Sequence, residues 1–248
     1  MDENGKIPAH EPKMGLGAWL DNFWYHYKYQ TLIAALLIVT AVVSTAQILT
    51  REKYDYYMMY AGPQVVALQD LVYIQRGFEA VADDFDGNGE VNVSVDDIVM
   101  LSPEERAAAM EADAFINPEA VRSTMTEYYQ QIVGGDAIIC LLSPYMYEMV
   151  HESDGFLPLA ELYTELPEAV AAAAYDDCGL VLAKTAFGQS FNGIDDLPED
   201  TILCIRRLSS MAKLKGEAKT QKRHAASVEL FRRLAEYTPE AAAEKESN

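Results

Sequence analysis

Hydrophobic and polar positions alternate along this chain in three distinct ways, and each way predicts a different element. From Thr31 to Leu49 the sequence TLIAALLIVTAVVSTAQIL runs nineteen residues without a charge. Its few hydroxyls can bond back to helix carbonyls. At about 1.5 Å per residue, such a helix nearly matches the roughly 30 Å hydrocarbon core of a bilayer. Trp19, Phe23, Trp24, Tyr25, Tyr27 and Tyr29 crowd one end, and Tyr54, Tyr56, Tyr57 and Tyr60 the other. Such rings favour the headgroup zone. The expected plan is a short tail with an aromatic juxtamembrane segment over 1–30 and a transmembrane helix over 31–50. An exterior domain follows over 51–238, then a polar tail over 239–248.

Beyond the apolar run, helical spacing and period-two alternation take turns. Tyr56 to Tyr60 reads as a strand ended by Gly62-Pro63. Val65, Leu68, Leu71, Val72, Phe78 and Val81 fall at helical intervals. Val91, Val93 and Val95 alternate with Asn92 and Ser94, a strand pattern. Ser102-Pro103-Glu104-Glu105 combines a hydroxyl cap, an N1 proline and first-turn acids, so it opens a helix. A further helix is expected from about Pro118 to Val133, ended by Gly134-Gly135. Ala137 to Leu142 is a continuous apolar run, as in a strand covered on both faces. Strands are also expected over 179–184 and 201–206, and a closing helix over about 220–236. Strands alternating with helices predict an α/β domain with a mostly parallel sheet.

Charge and leader chemistry refine the address. Beyond position 50 there are 16 basic and 35 acidic residues. So acidic a domain is repelled by anionic lipid and by nucleic acid phosphates, and no nucleic acid partner is expected. A cleaved signal peptide competes with a retained anchor, since Ser44-Thr45-Ala46 offers small residues. Signal peptides, however, carry a short basic leader and a shorter apolar stretch, whereas here Asp2, Glu3, Glu11 and Asp21 offset Lys6, Lys13 and Lys28. The expectation is a single-pass protein of the cell membrane. Lys28 beside the run favours the N-terminus inside and the C-terminal domain outside. Cys140, Cys178 and Cys204 each sit in an apolar setting without CxxC spacing, which argues for buried thiols over a disulfide framework or a zinc site.

Candidate chemistry is sparse. Asp84, Asp86 and Asn88, with Gly89 and Val91 following, match the opening of a calcium loop. The pattern breaks at its twelfth position, Val95. The same residues suit a plain Asx- and Gly-rich turn. Ser143-Pro144-Tyr145 follows the buried strand at the carboxyl end, where open α/β sheets bind ligands. Ser143 is equally a helix N-cap. Tyr60, Asp136, Ser143 and Tyr145 are the candidate ligand-binding residues. No HExxH, GxSxG, P-loop or GxGxxG motif is present. A dyad of Cys140 and His151 is conceivable, but a mid-strand apolar thiol is inert. No catalytic residue and no obligatory cofactor is expected. Nine basic residues between Arg206 and Arg233 face only Glu217 and Glu229, which reads either as a docking face for an acidic partner or as a solvated helix face.

The stretch ADAFINPEAVRSTMTEYYQQIVGGDAIICLLSPYMYEMVHESDGFLPLAEL resembles the central part of extracellular solute-binding proteins with the type 2 periplasmic-binding fold. Its carriers are Gly135-Asp136-Ala137 before an apolar strand, Ser143-Pro144 at a helix start, and Gly155-Phe156-Leu157-Pro158-Leu159. The whole plan also resembles uncharacterised single-pass proteins of Gram-positive bacteria. The resemblance implies a solute-binding-like domain with a mostly parallel sheet, in two small lobes, capturing or sensing a small solute at the cell surface. The alternative is an interaction module with a closed cleft that docks a membrane or envelope partner. With so little chain before the helix, either role implies a partner membrane protein.

Overall fold

The computed structural model describes residues 15–49, 53–208 and 217–239. The lysines Lys6 and Lys13, the loop basics Lys213 and Lys215, and the tail from position 240 lie outside the described residues. The chain divides into two units, Met1–Glu52 and Lys53–Asn248.

Among the described residues, the first unit holds one helix, α1, Leu16–Leu49. It begins well before the apolar run, because nothing between Leu16 and Thr31 interrupts helical backbone: there is no proline and only one glycine. Trp19, Phe23 and Tyr27 follow one another at i, i+4 spacing, and their rings pack along one face, with centroids 5.6 and 5.3 Å apart. The window Trp19–Ala46 is long and apolar enough to cross a membrane, and none of it is buried. A membrane span and a signal sequence share these properties.

Among the described residues, the second unit is built on five strands: β1 (Tyr56–Gly62), β2 (Val93–Val99), β3 (Ile139–Leu142), β4 (Gly179–Val181) and β5 (Ile202–Ile205). Their order is β2-β1-β3-β5-β4. The pairs β1–β2 and β1–β3 are parallel, and β5 runs antiparallel to both β3 and β4. Four strands therefore point one way, giving the expected mostly parallel sheet. The expected strand over 179–184 stops at Val181 and tightens into a 3-10 turn, Leu182–Lys184.

Helices cover both faces, so the strands carry apolar residues on both sides. On the first face Met58, Tyr60, Leu141, Leu203 and Ile205 meet α2 (Leu68–Glu79) through Ile74 and Phe78, and α8 (Glu217–Ala235) through Phe231 and Leu234. The short helices α6 (Leu159–Leu162) and α7 (Glu168–Ala173) close the same face. On the second face Met59, Cys140, Leu142 and Cys204 meet α4 (Pro118–Gly134) through Tyr128, and α5 (Pro144–His151) through Met146, Tyr147 and Val150. Each large side chain buried in this way contributes about 1.5–3 kcal/mol. The remaining helix, α3 (Pro103–Glu111), starts in the capping box its sequence announces. The Ser102 hydroxyl accepts the Glu105 N–H at 3.1 Å, and the Glu105 carboxylate accepts the Ser102 N–H at 2.7 Å.

Since α2 leaves β1 for one face and α4 enters β3 from the other, the connections part between β1 and β3. This is the switch point at which open sheets of this kind form a crevice beyond the carboxyl ends of their strands.

Candidate functional site

The carboxyl edge of the sheet gathers the ends of β1, β2 and β3 with the start of β5. Tyr60 is fully buried there, its ring folded over Gly62: a Cβ at that glycine would sit 2.6 Å from the Tyr60 hydroxyl. Burial pushes this hydroxyl up to about 12. The nearby Gln64 amide pulls it down and the carboxylates of Asp97, Asp200 and Glu105 add to the rise, while no hydrogen bond of normal geometry reaches the oxygen. Burial likewise raises Asp97, offset by the Val66 N–H, and its Oδ1 has no hydrogen-bond partner among the described residues. The buried Thr201 Oγ1, entering β5, is also without one. Ser143, following β3 at the same edge, is an N-cap: its Oγ accepts the Met146 N–H at 3.4 Å and its own N–H donates to the Ala61 carbonyl at 2.9 Å. Tyr145 is half-buried against the second core. Asp136 does not join this group, for it precedes β3 and lies at the opposite, amino end of the sheet.

The Asp84–Glu90 turn brings in a residue that the loop pattern does not contain. Asp55, 1% exposed, lies with Asp84 and Asp86 so that one oxygen of each is within 4.8 Å of the others. Yet these carboxylates face the turn's own backbone. Asp55 accepts N–H groups from Phe85, Asp86 and Asn92, and Asp84 accepts from Gly87, Asn88 and Gly89. The Gly89 N–H is the main reason that the Asp84 carboxyl is held below its ordinary value. Asn88 turns its oxygen to the Glu90 N–H. Gly87 and Gly89 have φ of 76° and 89°, left-handed values that glycine adopts freely. These bonds shape the turn.

A third cluster joins the end of α5 to the turn before β4. His151 Nε2 lies 3.8 Å from Asp176 Oδ2 and 4.0 Å from Asp177 Oδ1, and the Cys178 thiol completes a group within 4.8 Å with His151 and Asp177. Cys140 is buried mid-strand directly opposite Cys204 in the β3–β5 register, and the histidine faces Cys178 instead. Burial, with Asp177 and Asp176 adjacent, pushes the Cys178 thiol up to about 12. Asp176 is anchored: Oδ1 accepts from Tyr147 Oη at 2.8 Å and from the Cys178 and Gly179 N–H groups at 2.8 and 2.9 Å. The Tyr147 ring stacks on His151 at 5.1 Å and on Phe156 at 4.9 Å. The consecutive Asp176-Asp177-Cys178 was the signal in the sequence for this group.

Five described arginines of the basic stretch make partners within the domain. Arg206, 6% exposed, donates to the carbonyls of Ala137, Ile132 and Gly135, tying the end of α4 to the start of β3. Arg207 pairs with Asp154 and Glu161, each at 3.1 Å, and Arg233 with Asp83. Arg223 lies over the rings of Tyr57 and Phe85, and Arg232 donates to the Leu162 carbonyl. Neither a free docking face nor a merely solvated one describes these five arginines.

Two surface pockets lie apart from the expected ligand residues. One of about 400 Å³ is lined by Leu182, Lys184, Gln189, Asp195 and Glu199, among others. The other, about 230 Å³, runs between Asp83–Phe85 and α8. Searched against known protein families, curated proteins and solved structures, the chain matches none.

Proposed function

We propose that this chain is a membrane-anchored, non-catalytic binding protein. Its α1 spans the cell membrane with the N-terminus inside, and its α/β domain captures a small polar solute at the carboxyl edge of the sheet. The observation that carries the reading is that Tyr60 Oη, Asp97 Oδ1 and Thr201 Oγ1, near the carboxyl ends of β1 and β2 and the start of β5, are buried without a hydrogen-bond partner among the described residues. Such atoms cost free energy unless a ligand or water satisfies them. Their position at a topological switch point and the resemblance to type 2 periplasmic-binding proteins support the same class of ligand.

The test uses the full chain in lipid nanodiscs, melted against sugars, amino acids and short peptides, with Tyr60→Phe alongside. At least one solute class raises the melting temperature of the parent and leaves Tyr60→Phe unmoved. If no solute shifts the parent, the reading fails.

A second reading has an observation of its own. Val65 and Leu68, 75% and 80% exposed, flank the same edge on the loop after β1 and the start of α2. Apolar side chains presented there suit a protein partner that closes over the edge, as in an interaction module. Crosslinking from position 65 in intact membranes to one defined protein, with no solute effect, selects this alternative.

A further inference from the structure

The cluster at the end of α5 lies at the amino end of the sheet, because β4 runs parallel to β3 and the 176–178 turn precedes it. It is therefore independent of the proposed solute site. Its donors are an imidazole nitrogen, a thiol sulfur and carboxylate oxygens, the set that suits a borderline divalent ion rather than calcium. We infer that His151, Asp177 and Cys178 form a zinc-class metal site.

Geometry favours an ion over a simple ion pair. The Nε2 to carboxylate gaps of 3.8 and 4.0 Å are too long for hydrogen bonds. Donor atoms around a tetrahedral zinc, at about 2.0–2.3 Å from it, sit roughly 3.3–3.8 Å apart. Small side-chain rotations close the remaining difference. The surroundings are also those of a supported metal site. Tyr147 stacks on the His151 ring and donates to Asp176, and the Cys178 and Gly179 N–H groups hold that carboxylate in place. Asp177, with its side chain 76% exposed, opens a path for the ion to enter. Bound there, the metal links the end of α5 to the turn before β4, two segments that only the folded chain brings together, and so adds to stability by mass action.

The full chain, purified without added histidines, stripped with chelator and kept reduced, is titrated with cobalt(II). One equivalent produces a thiolate-to-cobalt charge-transfer band and the visible bands of tetrahedral cobalt, and zinc displaces both. Cys178→Ser loses the charge-transfer band, and His151→Asn, on the half-exposed side, weakens binding at least ~10-fold. Cys140→Ser keeps the spectrum. Circular dichroism establishes that each variant is folded. No charge-transfer band in the parent, or an equal band in folded Cys178→Ser, would overturn the assignment.

Discussion

Two acidic turns of this domain, one at Asp84–Glu90 and one at Asp176–Cys178, carry similar residues and use them differently. In the first, Asp84 and the buried Asp55 accept six backbone N–H groups between them, so the carboxylates build the turn. In the second, that duty falls to Asp176 alone. Asp177 and Cys178 are left to face a histidine from another helix. Acid count does not separate a turn from a ligand set. What separates them is whether the oxygens are already committed to backbone donors.

The largest effect is expected at Asp55. Asp55→Ala strands the N–H groups of Phe85, Asp86 and Asn92, and urea denaturation of the full chain in detergent should show a loss of roughly 2–4 kcal/mol. A loss below that of any surface variant would break the comparison, since the first turn would not depend on its carboxylates.

Tyr147→Phe comes next. It removes the hydroxyl that Asp176 accepts while keeping the stacked ring, and should cost about 1–2 kcal/mol in the same measurement. Cobalt binding should weaken as well, because the carboxylate beside His151 loses a support.

Asp84→Asn tests the sign of the acid dependence. The Asp84 carboxyl is depressed in the folded state, chiefly by the Gly89 N–H, so its contribution is present above its unfolded value of about 4 and lost as pH falls through the folded value. The stability gap between parent and variant should be constant near neutrality and shrink in acid. A gap that widens in acid contradicts the role of the carboxylate in the turn.

The smallest effect sharpens the contrast most. Asp177→Ala should change stability in chelator by no more than about 0.5 kcal/mol, because this side chain is exposed and supports no backbone group. The same variant should lose tight cobalt binding. An acid dispensable for folding and required for metal is what the second turn has and the first lacks.

Much of the fold was legible because its causes are local. The capping box at Ser102 and Glu105, the N-cap at Ser143, the apolar run in β3 and the i, i+4 rings of α1 all depend on residues a few positions apart. The candidate sites were less legible. Ser143 lies at the carboxyl edge, as its place after the apolar run predicts, but Asp136, close to it in sequence, is carried to the other end of the sheet by the strand between them. The basic stretch reads as one surface, but its described arginines turn to separate partners within the domain: Arg206 alone holds three carbonyls from a segment some seventy residues earlier.

The sequence by itself determined the long apolar helix, the alternation of strands and helices, and the helix starts, since backbone preference, periodicity and capping act within a turn or two. Only the tertiary structure decided which donors meet. Asp55 reaches a turn thirty residues away, and His151 finds Cys178 rather than Cys140. Those meetings follow from strand order and register, which set the ends of the sheet where side chains from distant segments converge.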